Sequence, residues 1–242
     1  MNEPGAEVGR VLALVEAQPA AADAALGTAG WLQRLCRVAI SDLPASGVAV
    51  SLMTEERSSG LAAASDATCG SVEELQFLLG EGPFLDAFTL RRPVLVPDLA
   101  GDGAAWWPTY AGAAHEYGVR AVFAFPLQVG AARLGVLDVY RDEVGSLSIV
   151  ELARALTFAQ VATTALLDGQ ERADAGHPPL GIDHALESRY ELHQAQGMVM
   201  VQLGMNLTDA MARLRAYAYS HERSLGLVAA DVVARRLTLE QG

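Results

Sequence analysis

Val119-Arg120-Ala121-Val122-Phe123-Ala124-Phe125-Pro126-Leu127-Gln128-Val129, then Gly130-Ala131-Ala132-Arg133, then Leu134-Gly135-Val136-Leu137-Asp138-Val139-Tyr140, is the stretch that decides the fold of the N-terminal part of the chain. Two β-rich segments, 121–129 and 134–140, flank four turn residues and read as paired strands. Gly118 closes the helix before them, the apolar run is a central strand, and Gly135 lets a neighbouring strand approach closely.

Upstream, apolar residues at helical spacing (Leu26, Ala29, Leu32, Leu35, Cys36, Ala39) predict a helix over about 23–41. Two further β segments, 47–53 and 60–65, are joined by a hairpin loop. Residues 72–90 read as helical pieces broken by Gly80-Glu81-Gly82-Pro83, with Pro83 placed in the first turn of the second piece. A short strand over 93–97, a loop carrying Asp98, Gly101, Asp102 and Gly103, and a helix over 107–117 follow. Downstream, Ser148-x-x-Glu151 is a capping box. It opens a helix to about residue 174, whose stripe Ile149, Leu152, Leu156, Ala159, Ala162, Thr163 and Leu166 suits either its own sheet or a second copy of the chain. Residues 1–22 form an N-terminal segment with a short helix over 8–17.

Ala173–Gly181 (ADAGHPPLG) is the clearest boundary. Beyond it three helices fit: about 182–203 ending at Gly204, 207–220 capped by Asn206, and 225–237 capped by Ser224. The whole is α+β: an antiparallel sheet with flanking helices, then an all-α three-helix bundle.

Composition sets broad limits. The 242 residues are 51% hydrophobic, enough for buried cores, and the net charge of −12 argues against nonspecific coating of nucleic acid. The acidity is uneven: residues 1–182 hold 11 Arg against 22 acids, and residues 183–242 hold 6 Arg against 7. Every basic residue is Arg. No secretory signal and no uninterrupted apolar span are seen, so a cytoplasmic location and no membrane partner are expected. Cys36 and Cys69 read as structural, Cys36 on a helix face and Cys69 near a loop.

Gly80-Glu81-Gly82-Pro83-Phe84-Leu85-Asp86-Ala87 with Arg92-Pro93-Val94 and Pro97-Asp98-Leu99, together with Val119–Leu127 and Leu134–Asp138, resembles the GAF domains of actinobacterial regulators. Gln194-Ala195-Gln196-Gly197-Met198-Val199-Met200, Ala210, Leu214-Arg215, Val228-Ala229 and Val232-Val233 resemble an ANTAR domain. The resemblances divide the chain into a GAF sensor over 23–170, with a dimerising helix at about 148–174, a linker over 175–182, and an ANTAR domain over 183–242. Two residues depart from the family pattern. Gln196 stands where relatives often carry Lys, and Phe84 stands where many carry a thiol.

What the resemblance implies is an RNA-binding antitermination regulator, a homodimer that grips stem-loops in nascent transcripts under control of the GAF domain. Unstacked loop bases are read by stacking and edge hydrogen bonds, while phosphates take Arg. The candidates are Gln194 and Gln196 on the first helix, and Arg213, Arg215, Tyr217, Tyr219 and Arg223 on and after the second. Arg213 with Tyr217, and Arg215 with Tyr219, form two same-face pairs; both cannot face RNA. Ala195, Gly197, Ala210 and Ala229 are expected where the helices pack close together. Arg235-Arg236 is assigned to the dipole at a helix C-terminus.

The GAF ligand is open. This chain has no Lys for the cyclic-nucleotide motif and no bilin motif; His115 reads as a surface residue, and Trp106, Trp107 and Tyr110 as core or pocket wall. No cofactor and no metal are expected, although an unidentified small molecule remains a possible partner. No GxSxG, HExxH or Walker loop is present, and Asp98, Asp102, Asp138 and Asp142 read as ordinary loop or strand-end acids, so no catalysis is expected. The alternatives are a DNA-binding transcription factor, and a protein–protein signalling module with a ligand-free GAF dimerisation domain. The apolar third helix disfavours DNA, because a helix-turn-helix domain needs a polar, basic recognition helix there.

Overall fold

A computed structural model describes residues 4–19, 27–53, 59–174, 183–221 and 223–239. The elements of its larger part are α1 (Pro4–Glu16), α2 (Gly27–Asp42), β1 (Gly47–Met53), β2 (Ser59–Ala64), α3 (Ala67–Leu79), α4 (Pro83–Leu90), β3 (Val94–Val96), a wide helical turn (Leu99–Gly103), α5 (Ala104–Trp106), α6 (Pro108–Glu116), β4 (Ala121–Val129), β5 (Ala132–Arg141) and α7 (Ile149–Asp174). The strands form one antiparallel sheet in the order β2-β1-β5-β4-β3.

Alternation along each strand separates two cores. Val48, Val50, Phe123, Phe125, Leu137 and Val139 face α1, α2 and α7. Ala49, Val122, Ala124, Val136 and Tyr140 face α3, α4 and α6. Both faces of β4 and β5 are therefore covered, which is why the middle of these strands is apolar apart from Asp138. Gly135 sits opposite Leu52, and a Cβ there would overlap the Ser51 carbonyl oxygen.

Several boundaries differ from the sequence reading. The N-terminal helix begins at Pro4, before the expected residue 8, and its Val11 and Val15 are buried in the α2–α7 core. The Arg10 guanidinium forks onto Asp42 at 2.8 and 2.6 Å and holds that carboxyl below its usual range. Helix α3 starts earlier than expected because Asp66 caps it, accepting the Cys69 N–H at 2.9 Å. Cys69 accordingly lies inside a helix. The capping box forms as read, with Ser148 N–H on Glu151 Oε2 at 2.6 Å and Glu151 N–H on Ser148 Oγ at 3.3 Å.

The α7 stripe divides. Ala159, Ala162, Thr163 and Leu166 are buried, whereas Ile149 and Leu156 are exposed. Residues Ile149–Gly169 are long and apolar enough to span a bilayer, but the buried side of that helix packs on its own sheet.

The linker over 175–182 lies outside the described residues. After it come α8 (Asp183–Leu203), α9 (Leu207–Ser220) and α10 (Leu225–Val233). Asn206 Oδ1 accepts the Asp209 N–H at 2.9 Å, and Ser224 Oγ the Leu227 N–H at 3.2 Å. Helix α10 stops four residues short of the expected 237. Its end is set by Arg235, at φ 58°, and by the Asp231 carbonyl, which accepts the N–H groups of Arg236 and Leu237. The three helices are not detached from the sheet domain: Leu78 of α3 packs against their core, α9 lies on α3, and α8 on β2.

Replacing Gly135 with Val forces β1 away from β5 at the centre of the sheet. We expect about 1–3 kcal/mol lower stability in urea unfolding, the usual range for overpacking; an unchanged midpoint would show that the strands can separate there without cost.

Candidate functional site

Inside the α3 face of the sheet lies a polar cluster. Glu73, Gln76, Ser51 and Asp138 are all fully buried, as are the rings of Tyr110 and Tyr140. Ser51 donates to Glu73 Oε2 at 2.8 Å, and the Tyr140 hydroxyl donates to Glu73 Oε1. The Gln76 amide donates to the Tyr140 oxygen at 3.0 Å, and its carbonyl oxygen accepts the Phe84 N–H at 2.8 Å. Asp138 shares a side-chain hydrogen bond with Glu73, and the Tyr110 hydroxyl shares one with Tyr140.

Desolvation raises both carboxyls. The hydrogen bonds from Tyr140 and Ser51 partly offset it at Glu73, whereas at Asp138 the Glu73 charge adds to it and pushes the carboxyl well above its ordinary range. Glu73 is the better ionised of the two, and Asp138 carries the proton. Burial also pushes the Cys36 thiol up to about 12 and raises Cys69, so neither is a thiolate at neutral pH.

The loop Gly80-Glu81-Gly82-Pro83 encloses this cluster. Glu81 Oε1 accepts the N–H groups of Thr109 and Tyr110 at 2.7 and 2.8 Å, tying the loop to the start of α6. Asp86 accepts the Trp107 indole N–H at 3.2 Å. Gly82 has no room for a Cβ because the Gln76 side chain fills the space. Of the aromatics near it, Trp107 and Tyr110 are buried and Trp106 is exposed; His115 is exposed at the end of α6.

The helical bundle offers a different surface. Ala195, Ala210 and Ala229 are fully buried in its centre. Gly197 needs correction as a close-packing position: a Cβ there meets nothing within 4 Å. Gln194 and Tyr219 are exposed, and Arg213 and Tyr217 are half-buried, with the Tyr217 ring stacked on His221 at 3.9 Å between centroids. The remaining three candidates are tied to named partners within the chain. Gln196 donates to the Leu207 carbonyl at 2.7 Å. Arg223 pairs with Asp231 at 2.5 Å. Arg215 Nε donates to the Phe77 carbonyl at 3.1 Å, and its guanidinium lies against Gly80. Arg236 also pairs with Asp231, at 2.7 Å, so a carboxylate is its partner in place of the expected helix dipole.

Family models match this architecture twice, as a GAF domain over residues 28–167 and as an ANTAR domain over residues 182–233. The chain is a GAF–ANTAR protein. No curated protein matches it. Among solved structures it is similar to the GAF domain of the Acinetobacter phosphoenolpyruvate-protein phosphotransferase, with 12% identity, TM-score 0.51, and coverage of 72% of this chain and 99% of that one. The corresponding domain from Coxiella burnetii gives 14% identity, TM-score 0.52, and coverage of 71% and 96%. Likeness at that level establishes the fold alone. GAF domains are sensors and ANTAR domains are RNA-binding antiterminator modules, so the pairing in this GAF–ANTAR chain is a regulatory architecture.

Sequence reasoning missed the buried cluster. In the sequence Asp138 reads as a loop or strand-end acid, and Glu73 and Gln76 belong to no motif. The available signal was an acid inside an otherwise apolar strand, facing two polar residues three apart on one helix.

Two predictions follow from this geometry. Gly197→Ala removes a helix-interior glycine without any clash and is expected to stabilise the fold by about 1 kcal/mol; destabilisation in chemical unfolding would reveal a contact at that position. Asp138 has a folded pKa raised above its unfolded value of about 3.9. It therefore supports the fold fully below that value, and the contribution is lost as pH rises through the folded value. Asp138→Asn removes the penalty and supplies N–H donors to Glu73. The variant should melt higher than the parent, with a difference that is larger at pH 8 than at pH 5, at about 2–4 °C per kcal/mol. A difference independent of pH would mean that Asp138 does not titrate with folding.

Proposed function

We propose that this GAF–ANTAR protein regulates transcription termination by binding RNA stem-loops, and that the GAF domain restrains the ANTAR bundle in the arrangement described above. The observation carrying this reading is the position of Arg215: a side chain on the helix that offers Arg and Tyr to RNA instead donates to the end of α3. In that docked arrangement Gln194, Arg213, Tyr217 and Tyr219 form the RNA-facing set. Arg215 joins them once α9 leaves α3. Gln196 and Arg223 hold the bundle together in either case.

Helix α10 argues against DNA recognition in the helix-turn-helix manner. Leu225, Val228, Ala229 and Val232 are buried, and the helix carries no basic residue. The exposed Ile149, Val150 and Leu156 on α7 are the surface on which two copies would pair. The chain then presents two bundles to paired hairpins. A signal acts by shifting the population between docked and released bundles, which requires it to bind one form better than the other.

Leu78→Asp places a charge in the α3–bundle contact without touching any RNA-facing residue. In gel shifts of the full-length chain on a paired-hairpin RNA, this variant should bind about tenfold more tightly, equivalent to about 1.4 kcal/mol. Tyr219→Ala in the same assay should bind more weakly than the parent. Binding of duplex DNA in preference to hairpins, or no binding of either, would reject the RNA reading; unchanged RNA affinity of Leu78→Asp would reject the restraint alone.

A further inference from the structure

We propose that the corner where α9 meets α10 is part of the RNA-binding face: the ring of His221, stacked on Tyr217, is the platform for an unpaired loop base, and Arg236 takes a backbone phosphate beside it. This rests on the RNA reading above and adds two residues to its contact set.

The platform is already formed. Tyr217 is half-buried against the core of the bundle, and the His221 ring lies over it with centroids 3.9 Å apart and planes 17° from parallel. His221 itself is exposed, so the stack uses one face of the imidazole and leaves the other to solvent. The ring is also held at its edge: Nδ1 lies 2.9 Å from both the Tyr217 carbonyl oxygen and Ser220 Oγ. A carbonyl oxygen only accepts, so Nδ1 carries the hydrogen, and Nε2 is the ring atom left for an outside partner. An aromatic ring fixed in this way loses little freedom when a base stacks on it.

The phosphate contact is built from the same corner. Asp231 of α10 accepts Nη2 of Arg223 on Oδ2 at 2.5 Å and Nε of Arg236 on Oδ1 at 2.7 Å. Arg223 also shares a side-chain hydrogen bond with Tyr217, so the stacked rings and the ion cluster form one network. A single carboxylate serves two guanidinium groups, which leaves the three with net positive charge. Arg236 uses its Nε N–H on Asp231, keeps the N–H groups of its terminal nitrogens, and is 64% exposed. A guanidinium oriented by a carboxylate and open at its fork suits phosphate oxygens. An RNA loop offers splayed bases and phosphates side by side. An acidic protein surface would use the guanidinium and leave the stacked rings without a partner.

Docking on the sheet domain does not cover this corner. Helix α10 packs on α8 and α9, and His221 and Arg236 are exposed while Arg215 is held on α3. The corner is therefore the contact open to RNA in the held arrangement, and Arg215 is added on release.

The test uses the full-length chain in gel shifts on a paired-hairpin RNA at several KCl concentrations. His221→Ala should weaken binding about tenfold, in the range of one stacked base, and His221→Phe, which keeps a ring, should restore most of the loss. Arg236→Gln should reduce the slope of log K against log salt by about 0.7–0.9, the share of one phosphate contact. Hairpins carrying one abasic loop nucleotide find the stacked base: at one position the parent and His221→Ala should bind equally. Unchanged affinity of His221→Ala, the same tenfold loss at every abasic position, or an unchanged slope in Arg236→Gln would each overturn the proposal. Should His221→Ala fail to fold, the Arg236→Gln slope decides. A parent chain that binds no hairpin loses the antitermination reading and this site with it; a parent that binds while the variants match it keeps that reading and loses only this one.

Discussion

The side chain of Gln76 is bonded on both sides without recourse to solvent: its oxygen accepts the Phe84 N–H and its amide donates to the Tyr140 hydroxyl. A buried amide left half-satisfied costs on the order of 1–3 kcal/mol, so the surrounding backbone must deliver both partners. That requirement shapes the GAF core. Phe84 N–H can reach Gln76 only if the chain turns back sharply after α3, and the turn uses Gly80 at φ 71° and Gly82 at φ 140°. Pro83 then starts α4 where no N–H is needed. Glu81, at the apex, fixes the first turn of α6. The Gly80–Pro83 string is thus the backbone's answer to one buried amide, and it positions α3, α4 and α6 over a single face of the sheet.

Much of this was legible in the sequence because the signals are local. The capping box at Ser148, the caps at Asn206 and Ser224, the glycine at 135 and the β4–β5 pairing each depend on residues within a few positions of one another, or on steric rules that act anywhere. What escaped depends on contacts between distant segments. Val11 and Val15 look like any short apolar helix until α2 and α7 are in place to bury them. Asp138 looks like a strand-end acid until the helices over the sheet seal it from water. Gly197 illustrates the opposite error: a small residue in a helix suggests a neighbour pressed against it, yet that side of α8 has none. Arg215 is the most instructive case, since a basic residue beside tyrosines has the composition of an RNA contact whether or not another domain already holds it.

Helix α3 links the two halves through its own rigidity. Glu73 and Phe77 are four residues apart and therefore neighbours along one side of the helix. The first faces the buried cluster, and the carbonyl of the second accepts Arg215. Gln76 and Gly80, which meet through the helix-ending hydrogen bond, lie on the path between them. A rearrangement that moved α3 as a body would carry the Glu73 side chain and the Phe77 carbonyl together.

Magnitudes make such a linkage workable. The α3–bundle contact comprises a charge-assisted hydrogen bond, of about 1.5–3 kcal/mol, and the partial burial of Leu78, below the roughly 1.5–3 kcal/mol of a fully buried aliphatic side chain. Against these stands the entropy of holding a long arginine side chain in place, up to about 2 kcal/mol. What remains from the α3 side is a few kcal/mol, to which the packing of α8 on β2 adds. A ligand present at a hundred times its Kd supplies about 2.7 kcal/mol to whichever state binds it. The two quantities are of similar size, and under the proposed restraint that comparability would let a small molecule in the sheet domain decide whether the helical bundle is held or released. A contact several times larger would lock the bundle down; a contact made of Leu78 alone would leave it free at all times.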